Sequence, residues 1–319
     1  MVNAPQFSWR FLLPQYWLLW LGVALMWLIS WLPYRVLMLM GSGVGALLYK
    51  FMSSRRKVAA RNIALCFPEM PATEQHALLK ANFAESGKAL FETIIGWWWP
   101  NWRGRELAPF SGYEHVEAAL AQGKGVLLLA AHFLHLEAAC RVFGLTHPSV
   151  GFYRPHNNSL MDYLQYHGRN RANKYMVGKR DVKGLIQALN QQEVCFYLPD
   201  QDYGRNRAEF VPFFAVAETA TTTGTLLFAN AANCVVIPVY TYRLPGYQGY
   251  QVEVLPAFTN FPSGDDKADV TTVNQWVEQA VLKNPEQYMW LHRRFKTRPQ
   301  SDDPSLYKPE ATAGAGREQ

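Results

Sequence analysis

Short apolar runs alternate with segments of helical periodicity after residue 60, and this alternation constrains the fold more than any other feature of the chain. Four runs are typical of buried strands: 125–131, 150–153, 194–198 and 235–242. Helical patterns occupy the segments 73–98, 134–143, 160–169, 181–189 and 223–232. Because continuous apolar strands between helices indicate a sheet covered on both faces, we expect an α/β fold with a mixed, mostly parallel central sheet flanked by helices. The alternating segment 249–258 favours a more exposed, antiparallel strand.

The amino-terminal segment predicts a membrane helix. Residues 17–33 contain no charged side chain, and as a helix they would extend about 25 Å, close to the thickness of the hydrocarbon layer. A second apolar run, 36–49, is short for a span and would pack against the first or lie in the interface; a buried core helix is the alternative. We therefore expect an anchor with an interfacial helix at 1–50, an α/β domain at 51–300 and a polar, disordered tail at 301–319.

Basic residues follow the anchor and predict its orientation. Five lie between residues 50 and 61, whereas only Arg10 and the amino terminus precede the apolar segment. The positive-inside rule places the body of the protein on the cytoplasmic side. The formal net charge of +6 suits an anionic partner, but no zinc-knuckle or RNA-binding signature accompanies it, so we expect no nucleic acid.

His132 ends the first apolar run, and Glu137 follows five positions later in "AAHFLHLEAACRVFG". The carboxyl end of a strand is where α/β folds hold their sites. If Glu137 lies on the first helical turns, its carboxylate can accept the Nδ1 proton of His132 and leave Nε2 free as a base. Alternatively, His132 caps the helix and Glu137 is solvated. His135 admits a metal site, but there is no HExxH and no nearby Cys or Asp, so we expect no metal.

No nucleophile motif accompanies this histidine. The chain has no GxSxG sequence, and "ESGK" at residues 85–88 lacks the other residues of a phosphate-binding loop. A base without a protein nucleophile indicates that the substrate supplies one, such as a hydroxyl, which is typical of a transferase. Nothing in the sequence calls for a cofactor.

Several segments resemble a known family. "HFLHLE" fits the H-x4-D/E signature of the glycerolipid-type acyltransferase superfamily, and the chain as a whole resembles the secondary (late) lipid A acyltransferases of Gram-negative bacteria, most of all the lauroyl-transferring members. The resemblance covers nearly everything but the tail. It is carried by "QYWLLWLG", "RNIALCFPEM", "GFYRPHNN", "GRNRANKYM", "LPDQDYG", "FVPFFAV" leading to "TATTTGT", and "PEQYMWLHRRFKTRP".

The resemblance implies a glycerolipid acyltransferase-like fold and a specific reaction. Such enzymes transfer a fatty acyl chain from acyl carrier protein to a hydroxyl of a hydroxyacyl chain on a Kdo-linked lipid A precursor. By this resemblance His132 is the general base and Glu137 orients it, the donor chain is lauroyl, and the protein is a single-pass protein of the bacterial inner membrane with its catalytic domain on the cytoplasmic face. Transfer to a glycerolipid or lysophospholipid and a non-enzymatic role in envelope lipid binding are the alternatives.

Basic residues near these motifs are candidates for substrate binding. Arg154 follows the second apolar run and would lie near His132, ready for a phosphate or the thioester oxygen; a surface ion pair is the alternative. Arg169, Arg171 and Lys174 form a basic cluster suited to a bisphosphorylated disaccharide, with Arg169 preferred from the family resemblance. A solvated helix face explains the same cluster equally well.

Two acidic residues end another apolar run. Asp200 and Asp202 in "LPDQDYG" would order the arginines or the sugar, and a turn that requires Asp and Gly is equally plausible. The segment 291–298, "LHRRFKTR", would contact an anionic lipid or the carrier protein, or it would simply be a solvated end of the domain.

Overall fold

The computed structural model describes residues 2–107 and 109–308 of the chain. The strands are β1 (Phe110–Ser111), β2 (Gly125–Leu129), β3 (Ser149–Tyr153), β4 (Asn173–Gly178), β5 (Val194–Tyr197), β6 (Ala208–Phe213), β7 (Val216–Thr222), β8 (Cys234–Arg243) and β9 (Tyr250–Val254). The helices are α1 (Trp17–Ser30), α2 (Tyr34–Phe51), α3 (Ser53–Cys66), α4 (Ala72–Trp98), α5 (Asn101–Arg105), α6 (Tyr113–Ala121), α7 (Leu136–Thr146), α8 (Ser159–Asn170), α9 (Val182–Asn190), α10 (Gly224–Ala231) and α11 (Asp266–Lys283). Short 3-10 turns lie at Trp9–Leu12, Pro14–Tyr16, Pro245–Tyr247 and Pro285–Gln287.

A seven-stranded sheet in the order β1-β9-β8-β2-β5-β3-β4 forms the centre of the molecule. The five strands from β8 to β4 run parallel, whereas β9 pairs with β8 in the antiparallel sense and β1 is parallel to β9. The predicted α/β fold with a mixed, mostly parallel sheet is confirmed, as is the antiparallel strand within 249–258. A separate antiparallel pair, β6 and β7, lies beside it.

The sheet is buried on both faces. All five residues of β2 are buried, and the four that follow Gly125 alternate between two apolar clusters. Val126 and Leu128 point to the cluster that contains α2, α6 and α7, while Leu127 and Leu129 point to the one that contains α3, α9 and α11. A strand covered on both sides has no polar face, which explains why β2 appears in the sequence as an unbroken apolar run.

Side-chain caps fix where several of the flanking helices begin. Asn158 accepts hydrogen bonds from the backbone N–H groups of Leu160 and Met161 at the start of α8. Asp181 accepts from the N–H of Gly184 at the start of α9, and Asp265 does the same for Ala268 in α11. These caps satisfy N–H groups that have no partner within the helix, so the first residues of α8, α9 and α11 are well defined.

The amino-terminal helices differ from the anchor that the sequence predicted. The predicted span 17–33 contains the 14-residue helix α1, which ends at Ser30. Helix α2 buries Leu37, Met38, Gly41 and Gly45 against α4, so it belongs to the packed body rather than to a separate anchor.

Taken singly, the helices of the described residues fall short of a bilayer span in length or in apolar character. Within residues 2–107 and 109–308, no single helix is both long enough and apolar enough to cross a membrane. Helices α2 and α3 reach those limits only when taken together, and their axes are bent by 95°.

The carboxyl-terminal segment packs on the body for several residues beyond the predicted boundary at 301. Leu306 and Tyr307 lie against the apolar core. The Tyr307 hydroxyl donates to Oδ1 of Asn62 at 2.5 Å, and Nε of Arg61 donates to the Leu306 carbonyl at 2.7 Å. The rest of the predicted tail, residues 309–319, lies outside the described residues.

Candidate active site

The sheet brings His132 and Asp200 together at its carboxyl edge. Strands β2 and β5 are parallel neighbours whose last paired residues are Leu129 and Tyr197. His132 and Asp200 each follow three residues after that pair, so the two chains leave the sheet side by side. Nδ1 of His132 lies 2.7 Å from Oδ1 of Asp200, and the backbone N–H of His132 donates to Oδ2 at 2.8 Å.

Asp200 is suited to hold the imidazole in one orientation. Its side chain is fully buried, whereas the His132 side chain is 17% exposed. Burial alone would raise the pKa of Asp200, but the charge of the His132 ring and the hydrogen bonds from the ring and backbone of His132 hold that pKa below its usual value. The carboxylate therefore stays ionised and accepts the Nδ1 proton, which leaves Nε2 as the nitrogen that can act as a base.

The segment 285–290 supports the loop that carries His132. The N–H of Leu134 donates to the Gln287 carbonyl at 2.9 Å, and the N–H of Met289 donates to the His132 carbonyl at 3.0 Å. Nδ2 of the buried Asn82 in α4 donates to the carbonyls of Glu286 and Tyr288, at 2.8 and 2.7 Å. Part of "PEQYMWLHRRFKTRP" thus serves to fix the backbone of the base.

Glu137 does not contact His132 as the sequence analysis expected. It lies in the first turn of α7, where Oε1 accepts from Nε of Arg169 at 2.9 Å and from Nη2, and Oε2 accepts from Nε1 of Trp97 at 3.3 Å. The prediction of a hydrogen bond between Glu137 and His132 is wrong, because α7 directs this carboxylate toward α4 and α8. The alternative is also wrong: His135, not His132, is the cap residue of α7, and Glu137 is in an ion pair.

The predicted basic cluster divides into three different environments. Arg169 faces Glu137, with about a third of its side chain exposed. Arg171 donates to the carbonyls of Trp97 and Trp99 at 2.7 and 2.9 Å and so caps the carboxyl end of helix α4. Lys174 pairs with Glu193 at 2.6 Å before β5 begins, at the amino edge of the sheet opposite His132. Arg171 and Lys174 therefore do not join His132 in one site.

The remaining predicted residues also have defined positions. Arg154 is exposed at the carboxyl end of β3, on the same edge of the sheet as His132, and no ion pair joins it to another described residue. Asp202 accepts from the N–H and hydroxyl of Thr297, both at 2.7 Å, and from the N–H of Gly204 at 2.9 Å. Asp202 therefore orders a turn, which is the alternative that the sequence analysis left open.

His135 points away from His132 and into the core. It is fully buried, its Nε2 lies 3.3 Å from the Thr241 hydroxyl, and its ring lies beside Phe133 and Tyr250. Burial lowers its pKa to about 4. Among the residues that the structure describes, no three His, Cys, Asp or Glu side chains converge as a metal site would require.

Comparison with known proteins identifies the family of the chain. Residues 4–297 match the model of the family described as bacterial lipid A biosynthesis acyltransferase. The chain belongs to this family. It is 44% identical to the lipid A biosynthesis lauroyltransferase of Escherichia coli strain K12 over 96% of this chain and 100% of that protein, and 40% identical to the palmitoleoyltransferase of the same organism over 95% and 98%. Among solved structures, a 1-acyl-sn-glycerophosphate acyltransferase from Thermotoga maritima matches at 13% identity and a TM-score of 0.37, covering 79% of this chain and 97% of that one, a likeness too weak to assign any role.

This lipid A acyltransferase contains supporting residues that the sequence analysis missed. Arg243 is buried and donates from Nε and Nη2 to both oxygens of Glu92 at 2.7 Å, while its backbone N–H donates to Oε1 of Gln287 at 2.7 Å. The carbonyl of Gln287 in turn supports the loop after His132. The signal was the polar residues of "PEQYMW" and α4, whose spacing within otherwise apolar stretches indicates buried partners.

Proposed function

We propose that this acyltransferase moves a lauroyl chain from acyl carrier protein to a hydroxyl of a hydroxyacyl chain on a Kdo-linked lipid A precursor. Membership of the lipid A acyltransferases supports the reaction class, and the resemblance to lauroyltransferases supports the donor chain. The observation that carries the proposal is the His132–Asp200 pair, because a thioester-to-hydroxyl transfer needs one base held with a free nitrogen at an accessible edge.

His132 acts as the base and Asp200 as its orienting carboxylate. Nε2 of His132 takes the proton of the acceptor hydroxyl as that oxygen attacks the thioester carbonyl carbon. The carbon–sulfur bond then breaks, and the proton on His132 passes to the departing thiolate, so that an ester and a thiol result. Asp200 stabilises the transient imidazolium through Nδ1. A base in this position contributes about 10²–10⁴ in rate.

Glu137 and Arg169 form the second part of the site in this proposal. Glu137 holds the guanidinium of Arg169 from one side, which leaves other N–H donors of Arg169 for a ligand. Arg154 lies exposed on the same edge of the sheet. We assign Arg169 and Arg154 to anionic groups of the acceptor and Glu137 to positioning Arg169, while Arg171, Lys174 and Asp202 serve the fold.

The membrane attachment is proposed from the apolar surface of the first 52 residues. Of the large apolar side chains that are exposed in the described part of the chain, all but five lie between Phe7 and Met52. Exposed apolar side chains that are concentrated in this way mark a lipid or protein contact. Together with Lys50, Arg55, Arg56 and Lys57, it supports attachment to the cytoplasmic face of the inner membrane, with α1 entering the lipid.

A product assay tests the reaction and the base together. The purified protein receives lauroyl-acyl carrier protein and an equal mixture of the lipid A precursor and a lysophospholipid, and mass spectrometry follows both acceptors. We expect only the lipid A precursor to gain one acyl chain, and we expect His132→Ala to lower the rate by at least about 10²-fold with an unchanged melting temperature. A gain of mass on the lysophospholipid alone, or a His132→Ala rate above a tenth of wild type, would overturn the proposal.

A further inference from the structure

A cationic cleft lies beside the loop that carries Asp200. It has a volume of about 1190 Å³. Five cationic side chains and two carboxylates line it: Arg61, Arg205, Lys296, Arg298, Lys308, Asp302 and Asp303. Thr297 is also in the lining and is bonded to Asp202, two residues from the partner of the base. Asp202 therefore links the lining of the cleft to the loop that carries Asp200.

The arginines of the cleft are held in place without being neutralised. Arg61 donates to the Leu306 carbonyl, Arg205 to the Arg298 carbonyl at 2.9 Å, and Arg298 to the Glu218 carbonyl at 3.3 Å. In the described part of the chain, none of the five cations forms an ion pair with a carboxylate. Since a guanidinium has five N–H donors, each arginine retains donors and charge for an anionic ligand.

The cleft lies apart from the apolar surface that we assign to the membrane. Arg61 is nine residues after Met52 on α3, about 13 Å along a helix whose axis departs from that of α2 by 95°. The lipid acceptor would enter from the apolar side, where α1 and α8 lie. Charged and polar residues make up most of the lining of the cleft, which suits a ligand that arrives from water.

We propose that this cleft is the docking site of the soluble donor, an acidic carrier protein that presents the acyl thioester on a phosphorylated arm. The inference rests on the proposed function, because it requires a carrier-bound donor. The cations would meet the carboxylates of the carrier and the phosphate of its arm, and the cleft would aim the thioester toward His132. Such contacts raise the association rate and weaken with salt.

Charge reversal at two exposed positions tests this assignment. In the double variant Arg205→Glu/Lys296→Glu we expect the KM for lauroyl-acyl carrier protein to rise about tenfold or more at low salt, with kcat and the KM for the lipid acceptor within about twofold of wild type. Lys183→Glu, which reverses the charge of one exposed lysine on α9, should leave every constant unchanged. With lauroyl-coenzyme A as donor, which lacks the carboxylates of the carrier protein, the double variant should raise the KM for the donor by a smaller factor than it does for lauroyl-acyl carrier protein.

Three other results would contradict the assignment of the cleft. A rise in the KM for the lipid acceptor would overturn the inference and make the cleft a lipid phosphate site. Unchanged constants would overturn it as well. A wild-type protein that acylates the lipid A precursor from coenzyme A but not from the carrier would overturn both this inference and the proposed donor, while the acceptor reaction would stand.

Discussion

His135 shows how strongly the environment separates two histidines of one short segment. The buried His135 ring is neutral because burial lowers its pKa to about 4, and its Nδ1 has no hydrogen-bond partner among the described residues. An unfolded histidine titrates near 6.5, so between about pH 6.5 and pH 4 the unfolded chain binds a proton that the folded chain does not. The free energy of unfolding must therefore fall as the pH is lowered through this range.

The variant His135→Phe should remove that pH dependence. The difference between the two pKa values corresponds to about 3 kcal/mol of unfolding free energy lost by the wild type between pH 6.5 and pH 4. Chemical unfolding of wild type and variant at several pH values measures the difference, in which contributions of other groups cancel. Parallel pH profiles for the two proteins would show that His135 binds its proton equally well in the folded and the unfolded chain.

The site was predictable in part from its residues. His132 could be found because it ends an apolar run, where α/β sheets place functional groups. Its partner could not, because the sequence does not state that β5 lies next to β2. The equal distance of His132 and Asp200 from the last paired residues of these strands becomes meaningful only once the strand order is known. Proximity along the chain favoured Glu137, which α7 directs elsewhere.

Helices α2 and α4 approach each other closely at glycine residues. A methyl group at Gly87 would lie 2.1 Å from the Gly41 carbonyl oxygen, so this contact admits no side chain. Gly43 on the exposed side of α2 has open space around it. The same substitution at the two positions therefore separates the close contact from the general effect of glycine on helix stability.

Gly87→Ala should destabilise the protein by about 1–3 kcal/mol, because the helices must move apart. Gly43→Ala should be neutral or stabilising by up to about 1 kcal/mol, since alanine favours the helix. Thermal unfolding of both variants in the same detergent measures the effect. Equal melting temperatures for the two variants would contradict the close packing of α2 on α4.

Strands with a continuous apolar pattern were the elements that the sequence predicted well. β2, β3, β5 and β8 lie within one or two residues of their predicted positions, as do α8, α9 and α10, while α7 ends three residues later than predicted. β4, β6 and β7 were missed because their residues are mixed: β4 begins with Asn and Lys, β6 contains a proline and β7 is rich in threonine. Edge and hairpin strands are defined by their partners more than by their own pattern.

We expect the apolar surface of residues 7–52 to determine how strongly the whole protein binds a membrane. Leu18 and Leu21 on α1 are 81% and 67% exposed, whereas Leu282 on α11 is a comparably exposed leucine, at 60%, outside this surface. Transfer of each leucine of the surface into lipid is worth about 1.5–3 kcal/mol. A charged residue in its place forfeits that free energy.

The variant Leu18→Glu/Leu21→Glu should bind vesicles of phosphatidylethanolamine and phosphatidylglycerol at least about tenfold more weakly than wild type. Leu282→Glu should bind as wild type does. Vesicle flotation with the full-length protein gives both affinities. Equal binding of all three proteins would show that residues 7–52 do not contact the lipid.

The rate of lauroyl transfer by the variant Asp200→Asn is the most direct test of the catalytic role of the His132–Asp200 pair. The amide keeps the shape of the side chain but removes the charge that stabilises the imidazolium. We predict a fall of about 10²-fold or more, and adding His132→Ala should then lower the rate by a much smaller factor than it does in the wild type, because the two residues act as one unit. Transfer by Asp200→Asn at the wild-type rate would contradict the account.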